Sequence, residues 1–279
     1  LLKDDGWNEA AYGCKYIMHL ASPFPFKVSN NRNSLLAPAV DGTLRVLNAG
    51  LNADVEQFIV TSSIAAMFRK PNRSNPYSFN ENDWTDENWK EGVNDYFLSK
   101  TKAEKAAWEL MKNKGLKNKL TMINPGGVFG DALDKKGGTS IEYVRQFMKG
   151  KFPAAPKWGI LISDVKDVAK AHVACIGNTK VGGRRLIVGK EVKKLIELSQ
   201  IMAEAMPEYA KKLPKKELPN FMVKLISLFD SSAKTLIPDL EIVMQTDTTY
   251  AEELLGIKFN PAKGCISETA KSVVRLGLV

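Results

Sequence analysis

Short apolar runs alternate along the chain with longer stretches whose apolar residues recur at helical spacing. Lys15 to Ser22 reads as a buried strand, stopped by Pro23 and Pro25. From Leu35 to Leu51, the residues Leu36, Ala39, Val40, Leu44 and Leu47 fall on one helix face, with Gly50 near its end. Phe58-Ile59-Val60 is a second buried strand that runs into Thr61-Ser62-Ser63. A loop rich in Asn, Pro and Ser then extends from Pro71 to about Asn94. Tyr96 to Lys114 forms the next helix, with Ala103, Ala106, Ala107 and Leu110 turned inward and Gly115 behind it. Leu120-Thr121-Met122-Ile123 is a third strand, halted at Asn124-Pro125-Gly126-Gly127. Asp164 to Ile176 is helical, its start capped and charged by Asp164 and Asp167, and Arg185 to Val188 is again a strand.

Short buried strands alternating with helices predict βαβ units around a parallel sheet, an α/β fold. Right-handed crossovers make that sheet doubly wound. After Gly189 helical periods dominate (Val192 to Met206, Phe221 to Phe229, Gly264 to Leu276), broken by Pro214, Pro219 and Pro238. The expected division is a dinucleotide-binding region over 1–189 and a smaller, mostly helical substrate region over 190–279, with segments returning to the core.

Composition narrows the function classes. A chain of 279 residues, 44% hydrophobic, can bury a substantial core. No stretch approaches the roughly 20 apolar residues that cross a bilayer. Cys14, Cys175 and Cys265 lie far apart without a C-x-x-C pair, which fits buried thiols in a reducing, cytoplasmic setting. With only His19 and His172 besides, no metal site is expected. The net charge of +9 is spread thinly, densest at Lys190 to Lys194 and Lys211 to Lys216, and no nucleic-acid motif accompanies it. A solvated basic surface is expected, and such a field also favours an anionic cofactor.

The chemistry centres on Tyr96-Phe97-Leu98-Ser99-Lys100. Positions i and i+4 share a helix face, so phenol and ammonium point the same way. A cation beside a phenol is expected to lower the Tyr96 pKa from about 10. Such a Tyr donates a proton to a carbonyl oxygen as hydride reaches the carbon. This spacing recurs by chance, so its context carries the weight. Thr61-Ser62-Ser63 and Asn124-Pro125-Gly126 close neighbouring strands, and a parallel sheet binds its ligand beyond the carboxyl ends of its strands. Ser63 either hydrogen-bonds a substrate oxygen there or caps the next turn. Gly126-Gly127-x-x-Gly130 lacks the spacing and the position of a dinucleotide fingerprint and is not read as a phosphate loop. His172 is read as a packed helix residue.

In order along the chain, Gly13 to Pro23, Phe58 to Ser63, Tyr96 to Lys100 with Ala103 to Trp108, Asn124 to Gly130, Asp164 to Ala169 with Ala171-His172, and Leu254-Leu255-Gly256 resemble one family. It is the extended short-chain dehydrogenase/reductase family, part of the NAD-dependent epimerase/dehydratase superfamily. The similar branch holds dihydroflavonol, cinnamoyl-CoA and methylglyoxal/aldehyde reductases. The resemblance implies a Rossmann-type fold and hydride transfer from NADPH, with NADH possible, to a small-molecule ketone or aldehyde. It implies Tyr96 as proton donor, Lys100 on the nicotinamide ribose and Ser63 orienting the carbonyl. It further implies Leu20, Ala21 and Ser22 along the cofactor path. Pro125, Gly126, Gly127 and Val128 then pack beside the nicotinamide, or else make only a tight turn.

The sequence also departs from the pattern. The Gly-rich turn and the residue that reads the ribose 2′ position precede the matching segment in the family. At about 30 residues per βα unit, roughly 60 residues are then expected to be absent, which agrees with a first residue of Leu1 rather than Met. Arg45 stands where many relatives carry Asn, so that Asn's part in a proton relay does not transfer. Two alternatives share the Ser63/Tyr96/Lys100 set: a nucleotide-sugar epimerase/dehydratase and a non-catalytic NADP-binding protein. The loop from Asn72 to Asp95, with Phe79, Trp84 and Trp89, and the segments Asp131 to Pro156 and Lys211 to Leu236 are expected to shape a hydrophobic substrate pocket. Oligomeric state is not legible.

Overall fold

A computed structural model describes residues 1–22, 33–136 and 138–279. Pro23 and Pro25, expected to stop the first strand, lie outside the described residues. The central sheet is built from β1 (Tyr16–His19), β2 (Gln57–Thr61), β3 (Leu120–Pro125) and β6 (Arg184–Val188). Between β3 and β6 lie β4 (Gly127–Phe129) and β5 (Gly159–Asp164), and β7 (Glu191–Lys194) follows. The sheet runs β1-β2-β3-β6, all parallel, with Val60 opposite Met122 and Ile123 opposite Leu186.

Alternate residues of these strands feed two different cores, the arrangement expected of strands buried on both faces. Phe58, Val60 and Met122 pack beneath α1 (Asn33–Asn52) and α2 (Asp95–Asn113), where Leu47, Ala107 and Met111 meet them. Ile59, Ile123 and Leu186 face the other way, toward Ala171 and Cys175 of α4 (Val165–Cys175) and Leu255 of α7 (Thr249–Leu255). Helices thus cover both faces, as the doubly wound reading expected. All four strands present their carboxyl ends along one edge.

The second sheet was not expected. It runs β4-β5-β7, with β7 antiparallel to β5. Phe129 and Ile162 from it pack against Val144 of α3 (Thr139–Met148), Leu198 of α5 (Leu195–Ala205) and Ile266 of α8 (Ala262–Arg275). The helix predicted from Val192 therefore begins only at Leu195, where Glu197 closes back on the Lys194 amide at 2.7 Å. β3 likewise continues through Asn124 and Pro125, which pair with Ile187 and Val188. Pro125 lacks an N–H, and the strand end tolerates that.

Gly126 is what lets β3 turn into β4. A Cβ there would lie 2.1 Å from the Leu161 carbonyl oxygen, so the two backbones need its absence. Gly126→Ala is expected to destabilise the protein by about 1–3 kcal/mol, the usual cost of overpacking. Urea unfolding measures this, and an unchanged midpoint would show that β5 yields freely.

Candidate active site

β2 delivers Thr61, Ser62 and Ser63 to the carboxyl edge of the sheet. Ser63 caps the short turn Ile64–Ala66, its Oγ accepting from the Ala65 amide at 3.1 Å. The same hydroxyl lies 3.5 Å from the Pro125 carbonyl oxygen at the end of β3. Opposite it, Asn94 caps α2 by accepting from the Phe97 amide at 3.0 Å, which sets the first turn of that helix. That turn carries Tyr96, whose phenol hydroxyl hydrogen-bonds the Ser63 side chain. Lys100 follows one turn later on the same face and is buried. The three residues singled out in the sequence are thereby brought together.

Their electrostatics correct one expectation. Burial pushes the Tyr96 phenol up to about 12, against the opposing pull of its Ser63 hydrogen bond. The expected lowering by Lys100 does not occur. Burial also pushes Lys100 down, to about 8, and Glu104 one turn further on resists that fall. Tyr96 is consequently a protonated donor at neutral pH, and Lys100 is still a cation.

A small cleft beside Lys100 is lined by Ala21, Ser22, Ser62 and His19. Leu20 is exposed and stands outside this lining. On the neighbouring strand end Pro125 is buried, whereas Gly126, Gly127 and Val128 are partly open. The Gly126 amide is held by Ser163 Oγ at 2.8 Å. Lys100 offers three N–H donors, and no described residue accepts a hydrogen bond from them. A buried ammonium with unspent donors at the strand edge suits the hydroxyls of a ribose. The residues present therefore fit a nicotinamide nucleotide at this point.

His19, at the floor of the cleft, is pushed down to about 4 by burial and by the charge of Lys100. Between that value and its ordinary 6.5 the unfolded chain binds the proton and the folded one does not. Stability is therefore expected to fall as pH drops from about 6.5 toward about 4. Thermal unfolding across this range, compared with His19→Gln, checks it. The same slope in both proteins would assign the effect elsewhere.

Beneath these groups lies a polar network that the sequence did not announce. Glu104, 2% exposed, accepts from Ser62 Oγ at 2.5 Å, Asn124 Nδ2 at 2.9 Å and Arg185 Nε at 2.5 Å. Its one foreshadowing was a Lys-x-x-x-Glu spacing on α2.

Other expectations resolve individually. Asp164 caps α4 through the Lys166 amide at 2.8 Å. His172 is a packed helix residue, bonded to the Val168 carbonyl and, at 2.7 Å, to Thr61 Oγ1. Arg45 pairs with Asp4 and binds the Leu1 carbonyl, with no part in the site. Phe79 does not shape a pocket: it is 1% exposed, packed in a core with Phe68, Tyr77 and Met244. Trp84 lies 3.8 Å from the Arg185 guanidinium, and Trp89 packs near Arg73. Trp84 also lines an open cleft together with Asn82, Trp108 and Lys112. Among the described residues no His, Cys, Asp and Glu cluster could hold a metal, and no helix is long and apolar enough to cross a membrane.

Comparison with known proteins places this geometry. Residues 1–178 match the 3-beta hydroxysteroid dehydrogenase/isomerase family. The chain is 30% identical to cinnamoyl-CoA reductase 1 of Petunia hybrida over 278 residues, covering 99% of this chain and 76% of that one. It is 32% identical to the NADPH-dependent methylglyoxal reductase GRE2 of Saccharomyces cerevisiae over 280 residues, covering 94% and 77%. The crystal structure of yeast methylglyoxal/isovaleraldehyde reductase Gre2 complexed with NADPH superposes with a TM-score of 0.76 at 27% identity, over 99% of this chain and 81% of that one.

Proposed function

Because the chain belongs to the 3-beta hydroxysteroid dehydrogenase/isomerase family, we propose that it is an NADPH-dependent reductase that converts a ketone or aldehyde to an alcohol. The observation that carries this reading is the Ser63–Tyr96 hydrogen bond, one helical turn from a buried Lys100 whose donors no described residue takes. The two reductases above, one cinnamoyl-CoA and one methylglyoxal, support the reaction class, and the NADPH in the yeast structure supports the cofactor.

When bound, the reduced nicotinamide supplies a hydride to the carbonyl carbon. The remaining work belongs to this chain. Ser63 and Tyr96 converge on the carbonyl oxygen, exchanging the bond they share for bonds to the substrate. Tyr96 passes its proton to that oxygen as negative charge develops there. Lys100 would hold the ribose hydroxyls, and the Ser63 hydrogen bond opposes the rise that burial imposes on the Tyr96 phenol. Ala21 and Ser22 line the path of the nucleotide, and Leu20 borders it. Pro125, Gly126, Gly127 and Val128 would flank the ring.

A cytoplasmic setting belongs to the same reading, supported by three cysteines that form no disulfide. The division at Gly189 is likewise proposed, supported by the mainly helical content beyond it. A hydrophobic carbonyl substrate is supported by the exposed Phe221, Leu225 and Phe229 in the segment expected to face it. Loss of NADPH absorbance with a panel of aldehydes, ketones and keto acids tests the assignment. Turnover with apolar carbonyls is expected, and a preference for small charged keto acids would overturn the substrate class.

A further inference from the structure

Glu104 is buried, yet neither of its oxygens lacks a partner. Oε2 takes the hydroxyl of Ser62 at 2.5 Å and Asn124 Nδ2 at 2.9 Å. Oε1 takes Arg185 Nε at 2.5 Å and Trp108 Nε1 at 3.3 Å. These partners come from different elements: Ser62 from the end of β2, Asn124 from β3, Arg185 from β6 and Trp108 from α2 itself. Three of these elements, β2, β3 and α2, also lead to the site residues. Ser63 follows Ser62, Pro125 follows Asn124, and Tyr96 and Lys100 lie on α2. Asn124 adds a direct link, since its Nδ2 also donates to the Ser63 carbonyl at 3.1 Å.

Arg185 is fastened on its far side as well. Its Nη1 donates to the carbonyls of Glu81 at 3.0 Å and Asp83 at 2.5 Å, and its guanidinium lies 3.8 Å from the Trp84 ring. A carboxylate so held is fixed in place one turn below Lys100. Among the described residues, the charged and titratable groups near it include Arg185, which it pairs, Lys100 one turn away, and His19 beyond Lys100. Arg185 and Lys100 are cations and His19 is neutral at pH 7, so Glu104 is the negative charge that Lys100 meets from below.

We propose that Glu104 is a positioning residue, a counter-charge one turn from Lys100 that also acts through Asn124 and Ser63 and locks α2 to the ends of β2 and β3. The inference rests on the reductase reading for its consequence, the binding of the cofactor ribose. Its physical content does not depend on turnover.

The test titrates Lys100 in the full chain without cofactor, by competitive acetylation at graded pH read by mass spectrometry. The variants are Glu104→Gln, Glu104→Asp and the double Glu104→Gln/Arg185→Met. The double variant removes the cation that the single Gln variant would strand in the interior. Loss of the carboxylate charge is expected to lower the Lys100 titration by about one unit or more, the scale of a close opposite charge. Glu104→Asp keeps the charge and is expected to restore most of the wild-type value. NADPH affinity at pH 8, followed by its fluorescence, is expected to fall in both Gln variants and less in the Asp variant. A purely structural Glu104 would weaken folding and leave the Lys100 titration unmoved, and that result in the folded double variant, measured against Arg185→Met alone, overturns the proposal. Shifted titration with no NADPH binding by any form, the wild type included, would uphold the electrostatic role and overturn the reductase reading instead.

Discussion

Tyr96→Phe is expected to cut carbonyl-dependent NADPH consumption by at least about a hundredfold, the scale of losing a general acid. The substitution removes one oxygen and leaves the ring, which packs edge-on to Phe97 at 6.0 Å between centroids. Folding and NADPH affinity should therefore change little, because the ribose contacts assigned to Lys100 remain. The pH dependence has a defined sign. With the phenol pushed up to about 12, deprotonation of Tyr96 removes no donor near neutrality. Lys100, at about 8, loses its charge first, so activity should decline on the alkaline side through that value. Steady-state rates across pH about 7 to about 9, roughly a unit either side of that cation's titration, check both points. A Phe variant with wild-type turnover would remove Tyr96 from the chemistry.

The second large effect concerns stability. Asp239 is fully buried between two arginines: Arg69 Nε lies 3.1 Å from Oδ2 and Arg73 Nη1 2.7 Å from Oδ1. Arg69 also donates to the carbonyls of Gly92 at 2.8 Å and Thr235 at 2.7 Å, and its guanidinium lies 3.8 Å from the Phe97 ring. One carboxylate thus ties the segment around Thr235 to Asp239 onto the loop that leads into α2 and its Tyr96. Asp239→Asn leaves two buried guanidinium groups without their counter-charge. Breaking a buried pair in this way costs about 3–5 kcal/mol, far beyond the exposed pair Lys157–Glu241, which solvent screens. Urea unfolding of Asp239→Asn beside Lys157→Ala measures the contrast. Similar midpoints for the two variants would mean that the interior pair is solvated or replaceable.

The parts of this architecture that could be read from the sequence are those whose signal is local. Phe58 to Val60 and Leu120 to Ile123 are uniformly apolar because both faces of the central sheet are covered, and such runs stand out. Tyr96 and Lys100 were legible because the i, i+4 spacing on a helix fixes their common face. Strand ends did the same for Ser63 and Pro125. The second sheet escaped because β4 is three residues long and opens on Gly127, while β7 reads Glu-Val-Lys-Lys and resembles the start of the helix behind it. Its existence depends on Gly126 meeting Leu161, a contact between residues far apart in the chain. The Glu104–Arg185 pair spans 81 positions and had no local signature. The Tyr96 expectation failed for a related reason: charge proximity shows in the spacing, but burial does not, and here burial dominates. Phe79 looked like a pocket wall from its loop, yet folding spends it on a core.

Carbonyl reduction through Ser63, Tyr96 and Lys100 is tested most directly by isotope transfer. The full-length protein is supplied with NADPH carrying deuterium at the transferable C4 position and with a panel of aldehydes and ketones, and the products are examined by mass spectrometry and NMR. The expected result is an alcohol bearing one deuterium on the former carbonyl carbon for each NADPH consumed. NADPH binding without deuterium transfer to any carbonyl, or rearrangement of a nucleotide sugar with no net consumption of NADPH, would contradict it.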